Sequence, residues 1–175
     1  MFNNAKRPFY ASCNNVPIGF IDKMEYARFI KDQFALYRRK ADDEAVEHIL
    51  QFTCNHTFYV QNLCNHIFAR GAKLITMDEV LKACRELLLI WENSFYQYRS
   101  LLTKAQWELL SAIAREEKLL KPHAAEFIRK HQLGSSSLVK RGLEALITKE
   151  MVYYDTSIKE PYYAVYDKFL MRWLQ

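Results

Sequence analysis

The chain has 175 residues, half of them apolar, and a formal net charge of +5 at pH 7. A chain of this length and apolar content can bury a sizeable core, which argues against intrinsic disorder. With only four glycines and four prolines, and helical spacing over most of its length, it is predicted to be mainly α-helical.

The basic excess lies mainly in residues 102–150. Residues 1–101 carry 13 basic and 11 acidic side chains, residues 102–150 carry 9 and 6, and residues 151–175 carry 3 and 3. An excess of this size permits nucleic acid as a partner without requiring it. No apolar run approaches the length of a membrane span, and the N-terminus lacks the apolar core of a signal peptide. We therefore expect a cytoplasmic protein with no membrane partner.

Helical spacing of apolar residues begins after Asp22, which we predict to cap a first helix. The inward face of that helix is predicted to carry Ala27, Ile30, Phe34 and Tyr37. Two further helices are predicted from Asp43 to Thr53 and from Thr57 to Arg70. Residues 1–20 are irregular but apolar, and we expect them to pack as an extended lead-in.

A fourth helix is predicted to begin at Thr76, because Thr76 and Glu79 have the spacing of a capping box. Its predicted inward face consists of Leu81, Cys84, Leu88, Trp91 and Phe95. The connections at residues 40–43 and 71–75 are short, which favours antiparallel neighbours. Residues 1–101 are therefore predicted to form a compact four-helix bundle.

The second half of the chain begins with another capping-box pair, Thr103 and Gln106, which predicts a helix. A shorter helix follows from Ala124 to His131, and Gly134 then breaks the chain. The predicted inward residues of these helices are Trp107, Leu110, Ile113, Ala114, Phe127 and Ile128. Ser135, Ser136 and Ser137 offer caps for a third helix.

After that third helix, the spacing of apolar residues changes from helical to extended. Residues 151–154 and 162–166 are rich in strand formers and flank a polar tip, which predicts a β-hairpin. Three helices followed by a hairpin is the order of a winged helix-turn-helix domain. We predict a domain boundary near residue 101, with the winged helix over residues 102–175, and expect the two halves to pack as one unit.

A nucleic-acid contact is predicted on the third helix of the winged helix. Val139, Leu143 and Leu146 form its apolar line. The opposite side carries Ser137, Lys140, Arg141 and Glu144, and we predict that the first three meet a phosphate backbone or a base edge. The tyrosines of the hairpin are predicted to alternate with one face buried, the alternative being that they stack on bases.

Motifs of catalysis are absent from the sequence. It contains no Walker A sequence G-x-x-x-x-G-K-S/T, no G-x-G-x-x-G, no H-E-x-x-H and no G-x-S-x-G. The repeated Cys-Asn-His at residues 54–56 and 64–66 offers two sulfur and two nitrogen ligands. However, Cys64 and His66 are two residues apart on a predicted helix and face different sides, so no metal site is predicted.

Five segments together resemble the C-terminal half of prokaryotic predicted AAA-family ATPases, which are relatives of the signal-transducing ATPases with numerous domains. The segments are Arg7–Tyr10, Asn55–Leu63, Leu102–Gln106, His131–Ser135 and Tyr166–Leu174. The resemblance covers essentially the whole chain. It implies a helical lid followed by a winged helix, both located after a nucleotide-binding domain of the same parent protein.

The resemblance also implies how nucleotide would be held in the parent protein. It gives the parent ATP and Mg²⁺ as ligands, whereas no cofactor is expected in this chain alone. It places Asn55, His56 and Thr57 on the adenine side, where the family usually has Gly-x-Pro. By this resemblance the chain is a regulatory module that closes over nucleotide held elsewhere and presents its winged helix to DNA or a partner protein.

Two other functions fit the sequence. The chain could be a free-standing winged-helix transcription regulator whose N-terminal bundle is a dimerisation or sensor domain. Alternatively, the winged helix is a surface for protein interaction only. A Walker A loop encoded upstream of Met1 would distinguish a regulatory module of an ATPase from a free-standing regulator.

Overall fold

The computed structural model describes residues 21–157 and 159–175, so the lead-in predicted over residues 1–20 lies outside the described residues. Its helices are α1 (Lys23–Leu36), α2 (Asp43–Phe52), α3 (Thr57–Ala69), α4 (Met77–Ser100), α5 (Lys104–Glu116), α6 (Ala125–Lys130), α7 (Ser136–Thr148) and α8 (Lys168–Trp173). Its strands are β1 (Lys40–Ala41), β2 (Leu74–Ile75), β3 (Val152–Asp155) and β4 (Tyr162–Val165). The predicted fold class, mainly helical with a C-terminal winged helix and a small antiparallel hairpin, is confirmed.

Helices α1 to α4 form the bundle, and α1 begins where the sequence predicts. The Asp22 side chain caps it by accepting hydrogen bonds from the backbone nitrogens of Met24 and Glu25, at 2.9 and 3.1 Å. Ile30 and Phe34 are buried as predicted, but Tyr37 is 65 % exposed and Tyr26 is buried instead. Tyr37 falls outside the predicted face because α1 ends at Leu36 and the chain turns there.

Helix α4 differs from its prediction in two ways. The Thr76 hydroxyl accepts from the backbone nitrogen of Glu79 at 3.4 Å, but the Glu79 carboxylate pairs with Arg70 at 3.3 Å. Only half of the predicted capping box is therefore present. The inward face holds Val80, Ala83, Cys84, Leu87 and Phe95, while the predicted Leu81 and Trp91 are 37 % and 36 % exposed. Residues 87–91 are all apolar, so periodicity alone cannot choose among neighbouring stripes.

The two connections predicted as plain loops pair with each other. β1 and β2 run parallel, with Lys40 opposite Leu74 and Ala41 opposite Ile75. The backbone nitrogens of Lys40 and Asp42 donate to the carbonyls of Lys73 and Ile75, at 2.9 and 3.0 Å. Ala41 and Ile75 are buried here, so the pairing satisfies backbone groups that the core would otherwise leave without partners.

The winged helix follows the predicted order closely. Both halves of the Thr103–Gln106 capping box are present at the start of α5. Val139, Leu143 and Leu146 of α7 are buried against α5. The hairpin β3–β4 is antiparallel, with Val152 opposite Val165. Helix α8 was not predicted from the sequence; it has six residues, and the Asp167 side chain caps its N-terminus.

Aromatic packing joins the two halves across the predicted boundary. The ring of Trp173 in α8 lies 5.5 Å from Phe95 in α4 and 6.2 Å from Trp107 in α5. Phe95 is fully buried, and Trp107 packs half-buried against the same core. No described helix, including the 24-residue α4, combines the length and apolar content needed to cross a membrane.

Candidate nucleic-acid interface

The turn that precedes α7 positions the start of this helix. Gly134 has φ +78°, a left-handed conformation in which glycine is unstrained, and it joins α6 to α7. Ser135 then caps α7, because its hydroxyl accepts from the backbone nitrogen of Leu138 at 3.3 Å. The hydroxyls of Ser135 and Ser137 lie 3.0 Å apart, so Ser137 stands beside the cap at the first turn.

Ser137, Lys140, Arg141 and Glu144 are all exposed. Their spacing of three and four residues places them on one face of α7, as predicted. Neither Lys140 nor Arg141 forms an ion pair with a carboxylate of residues 21–157 or 159–175. The two cations are thus available to a phosphate, and Glu144 is the acidic residue that shares their face.

Two other carboxylates of the winged helix are held by neighbouring cations. Glu116 accepts from Lys130 and from the ring of His131, both at 2.7 Å. The Lys130 hydrogen bond, followed by that of His131, lowers the pKa of the Glu116 carboxyl. Glu117 accepts from Arg172. The charges of Glu116 and Glu117 are thus neutralised by residues outside α7. The exposed face of α7 itself carries two cations, Lys140 and Arg141, and one anion, Glu144.

The residues on the implied adenine side lie together at the turn between α2 and α3. Cys54 and Asn55 have φ of 53° and 57°, and His56 and Thr57 begin α3. The Asn55 amide nitrogen donates to the carbonyl of Ile21 at 2.7 Å, which ties the turn to the start of α1. Burial, followed by the charge of Lys168, lowers the pKa of His56. Of the three predicted residues, Thr57 alone has an exposed side chain.

Arg172 of α8, which no sequence pattern singles out, ties the end of α2 to the winged helix. Its Nε donates to the carbonyl of Phe52 at 2.8 Å, and its Nη2 donates to the carbonyl of Gln51 at 2.7 Å. The same guanidinium pairs with Glu117. Arg172 thus binds carbonyls in the last turn of α2, and no spacing rule relates residues 120 positions apart.

The cysteines and histidines of the repeated Cys-Asn-His serve local packing. Burial raises the pKa of the Cys64 thiol to about 12, so it is a protonated thiol at neutral pH. The His66 ring lies 3.1 Å from Glu86, which also accepts from Arg70. Among the described residues, no three histidine, cysteine or acidic side chains gather in a way that could hold a metal ion.

A family model described as a probable winged helix domain matches residues 93–175. Residues 93–175 form a winged helix domain. The match to this winged helix domain begins inside α4, N-terminal to the boundary predicted near residue 101. The last turns of α4 are therefore part of the matched family unit, consistent with the contact of Phe95 with Trp173.

A solved structure extends the comparison to the bundle. The chain superposes on a Walker-type ATPase of Pyrococcus abyssi with a TM-score of 0.65 and 13 % sequence identity. The match covers 99 % of this chain and 47 % of that chain, in its C-terminal part. The chain therefore spans about half the length of that ATPase and shares its fold over that half. No match was found among curated proteins.

Proposed function

We propose that the chain is the C-terminal regulatory module of an AAA-family ATPase, a helical lid followed by a winged helix, without catalytic activity of its own. One observation carries the proposal. Almost the whole chain, bundle and winged helix together, corresponds in fold to less than half of a Walker-type ATPase. If the chain were a free-standing regulator, its combination of this bundle with a winged helix would match the ATPase only by coincidence.

An exposed apolar groove on the bundle supports the proposal that another domain packs against this chain. The groove lies between α1 and α3, has a volume of about 390 Å³, and is lined by residues that include Phe29, Phe34, Tyr37 and Phe68. Phe29 is 53 % exposed and Tyr37 is also mostly exposed. Exposed aromatic side chains that line a concave, mostly apolar groove are typical of an interaction site. We assign the groove to the nucleotide-binding domain of the parent protein.

In the parent protein, this chain would contribute a contact to nucleotide but not the chemistry. Phosphoryl transfer needs a phosphate-binding loop and a metal-holding carboxylate, and the sequence contains no Walker A loop. ATP and Mg²⁺ would therefore be held by the other domain. On the adenine side, Thr57 is the exposed residue suited to touch the base, while the Asn55 amide nitrogen already donates to the carbonyl of Ile21.

The output of the module is proposed to pass through α7. Ser137, Lys140 and Arg141 would contact the phosphate backbone of DNA, with Glu144 keeping the affinity low and the sequence preference weak. A protein partner on the same face is the competing occupant. The two differ in their response to salt, because each phosphate contact releases counterions.

The parentage is tested by sequencing the region that encodes the residues upstream of Met1 in its natural genome. We expect a strand, a G-x-x-x-x-G-K-S/T loop and a helix there, in the same or an adjacent reading frame. Where the loop is encoded in a separate reading frame, co-purification of that product with this chain should fail when Phe29 and Tyr37 are both replaced by serine. An upstream region without such a loop would instead favour a free-standing winged-helix regulator.

A further inference from the structure

A second cavity, distinct from the groove and from α7, lies where the bundle meets the winged helix. It has a volume of about 220 Å³. Its walls come from the turn at Cys54 and Asn55, from Tyr153 and Tyr162 of the hairpin, and from Lys168 of α8. Liquid water occupies about 30 Å³ per molecule, so the cavity has room for a small polyatomic ion and water.

Lys168 carries a buried positive charge into this wall. The residue is only 4 % exposed, whereas lysine is almost never buried without a partner of opposite charge. Its ammonium donates to the carbonyl of Val165 at 2.7 Å and to the hydroxyl of Tyr153 at 3.3 Å. No carboxylate of the described residues forms an ion pair with it. An ammonium has three N–H donors, so one donor lacks a hydrogen-bond partner among those residues. Within the same part of the chain, the charge itself meets only the ring of Tyr153, whose centroid lies 4.7 Å from the ammonium nitrogen.

The other polar groups of the cavity leave its charge positive. The Lys118 ammonium lies 5.1 Å from the centroid of the Tyr162 ring. Glu117 is the acidic residue of the lining, and its carboxylate is already paired with Arg172. The side-chain oxygen of Asn55 is buried and has no hydrogen-bond partner among the described residues. The cavity therefore combines two cations with one unused hydrogen-bond acceptor.

We propose that this cavity binds a monohydrogen phosphate ion. The two ammonium groups, of Lys168 and Lys118, would meet its charge, and the Asn55 oxygen would accept the hydrogen bond of its protonated oxygen. A sulfate ion has the same shape but carries no proton at neutral pH, so it would leave Asn55 without a donor and bind more weakly. Because the lining comes from both halves of the chain, bound phosphate stabilises their junction. This inference depends neither on the ATPase parentage nor on DNA binding.

The test is thermal unfolding and isothermal titration calorimetry of the whole chain with sodium phosphate, at a constant ionic strength of about 0.15 M. We expect phosphate to raise the melting temperature of the wild type in a saturable way. Lys168→Met should abolish the shift, while Lys121→Met, at an exposed lysine outside the lining, should keep it. An equal phosphate shift in Lys168→Met and in the wild type would overturn the proposal, as would a wild type that shows none.

Lys118→Met provides a second variant, because Lys118 is exposed and its replacement should not impair folding. We expect it to weaken phosphate binding about tenfold, the effect of removing one charge-assisted contact. Sulfate should bind about tenfold more weakly than phosphate to the wild type, and ATP should be excluded by the size of the cavity. Unchanged affinity in Lys118→Met, equal binding of sulfate, or an ATP shift as large as that of phosphate would each contradict the assigned ligand.

Discussion

Replacing Arg172 by methionine should weaken the whole chain, because this one side chain joins the winged helix to the last turn of α2. The change removes the hydrogen bonds to the carbonyls of Phe52 and Gln51 and leaves Glu117 without its cation. Hydrogen bonds to charged groups contribute about 1.5–3 kcal/mol each. The hydrogen bond to the Gln51 carbonyl is exposed, so water can replace it. The loss of stability is therefore determined by the hydrogen bond to the Phe52 carbonyl and by the lost packing of the side chain. We expect a loss of about 2–4 kcal/mol in the free energy of unfolding.

The assay is urea denaturation followed by far-ultraviolet circular dichroism and by tryptophan fluorescence. Circular dichroism reports mainly on the bundle, which contains the longest helix. Trp91 lies in α4 of the bundle, so the fluorescence is followed in a Trp91→Phe background, where Trp107 and Trp173 report on the winged helix. Both probes should give one coincident transition, and Arg172→Met should move it as a unit. Arg85→Met is the matched control, since Arg85 is exposed and should change stability by less than about 0.5 kcal/mol. Two separate transitions, with only the fluorescence transition moved, would refute the reasoning.

Three further predictions concern acid stability, packing and catalysis. Lys130 and His131 lower the pKa of Glu116 in the folded chain. The stability that the ionised Glu116 contributes is therefore complete above the pKa of this group in the unfolded chain, and it is lost as the pH falls through the lower pKa of the folded chain. Glu116→Gln should therefore flatten the fall in melting temperature between about pH 5 and pH 3, and an unchanged slope would be evidence against this. A Cβ at Gly142 would lie 2.9 Å from Leu109 Cδ2. Gly142→Val should therefore lower the free energy of unfolding, measured in urea, by about 1–3 kcal/mol. An unchanged free energy of unfolding would contradict the close approach of α5 and α7. The chain alone should neither hydrolyse ATP nor bind it with micromolar affinity, and turnover above a buffer blank would disprove this.

The elements that the sequence predicted well are those whose signals are local. The Thr103–Gln106 capping box lies within four residues and is present in full. The apolar line of α7 has a single repeat with polar residues on the other side, so the exposure of Lys140 and Arg141 followed directly from it. These features depend on nearest neighbours along one helix, which is the information that periodicity contains.

Features set by distant contacts were missed. Trp91 was assigned to the core because its helix is apolar on several sides, and packing against α2, α3 and α8 decides which side is buried. The β1–β2 pairing joins segments more than 30 residues apart. The roles of Arg172 and Lys168 depend on α8 docking against the α2–α3 turn, and a basic residue in sequence gives no sign that it will be buried.

Salt-dependent DNA binding is the most direct test of the proposed output through the exposed face of α7. Labelled duplexes of unrelated sequence should be titrated at several salt concentrations with wild type and with a variant carrying Lys140→Ala and Arg141→Ala. We expect weak binding to both duplexes at about 50 mM salt, and a salt slope that is smaller by about 2 units in the variant. An identical slope in the variant would contradict the assigned contacts, and no binding at about 50 mM salt would assign the face to a protein partner.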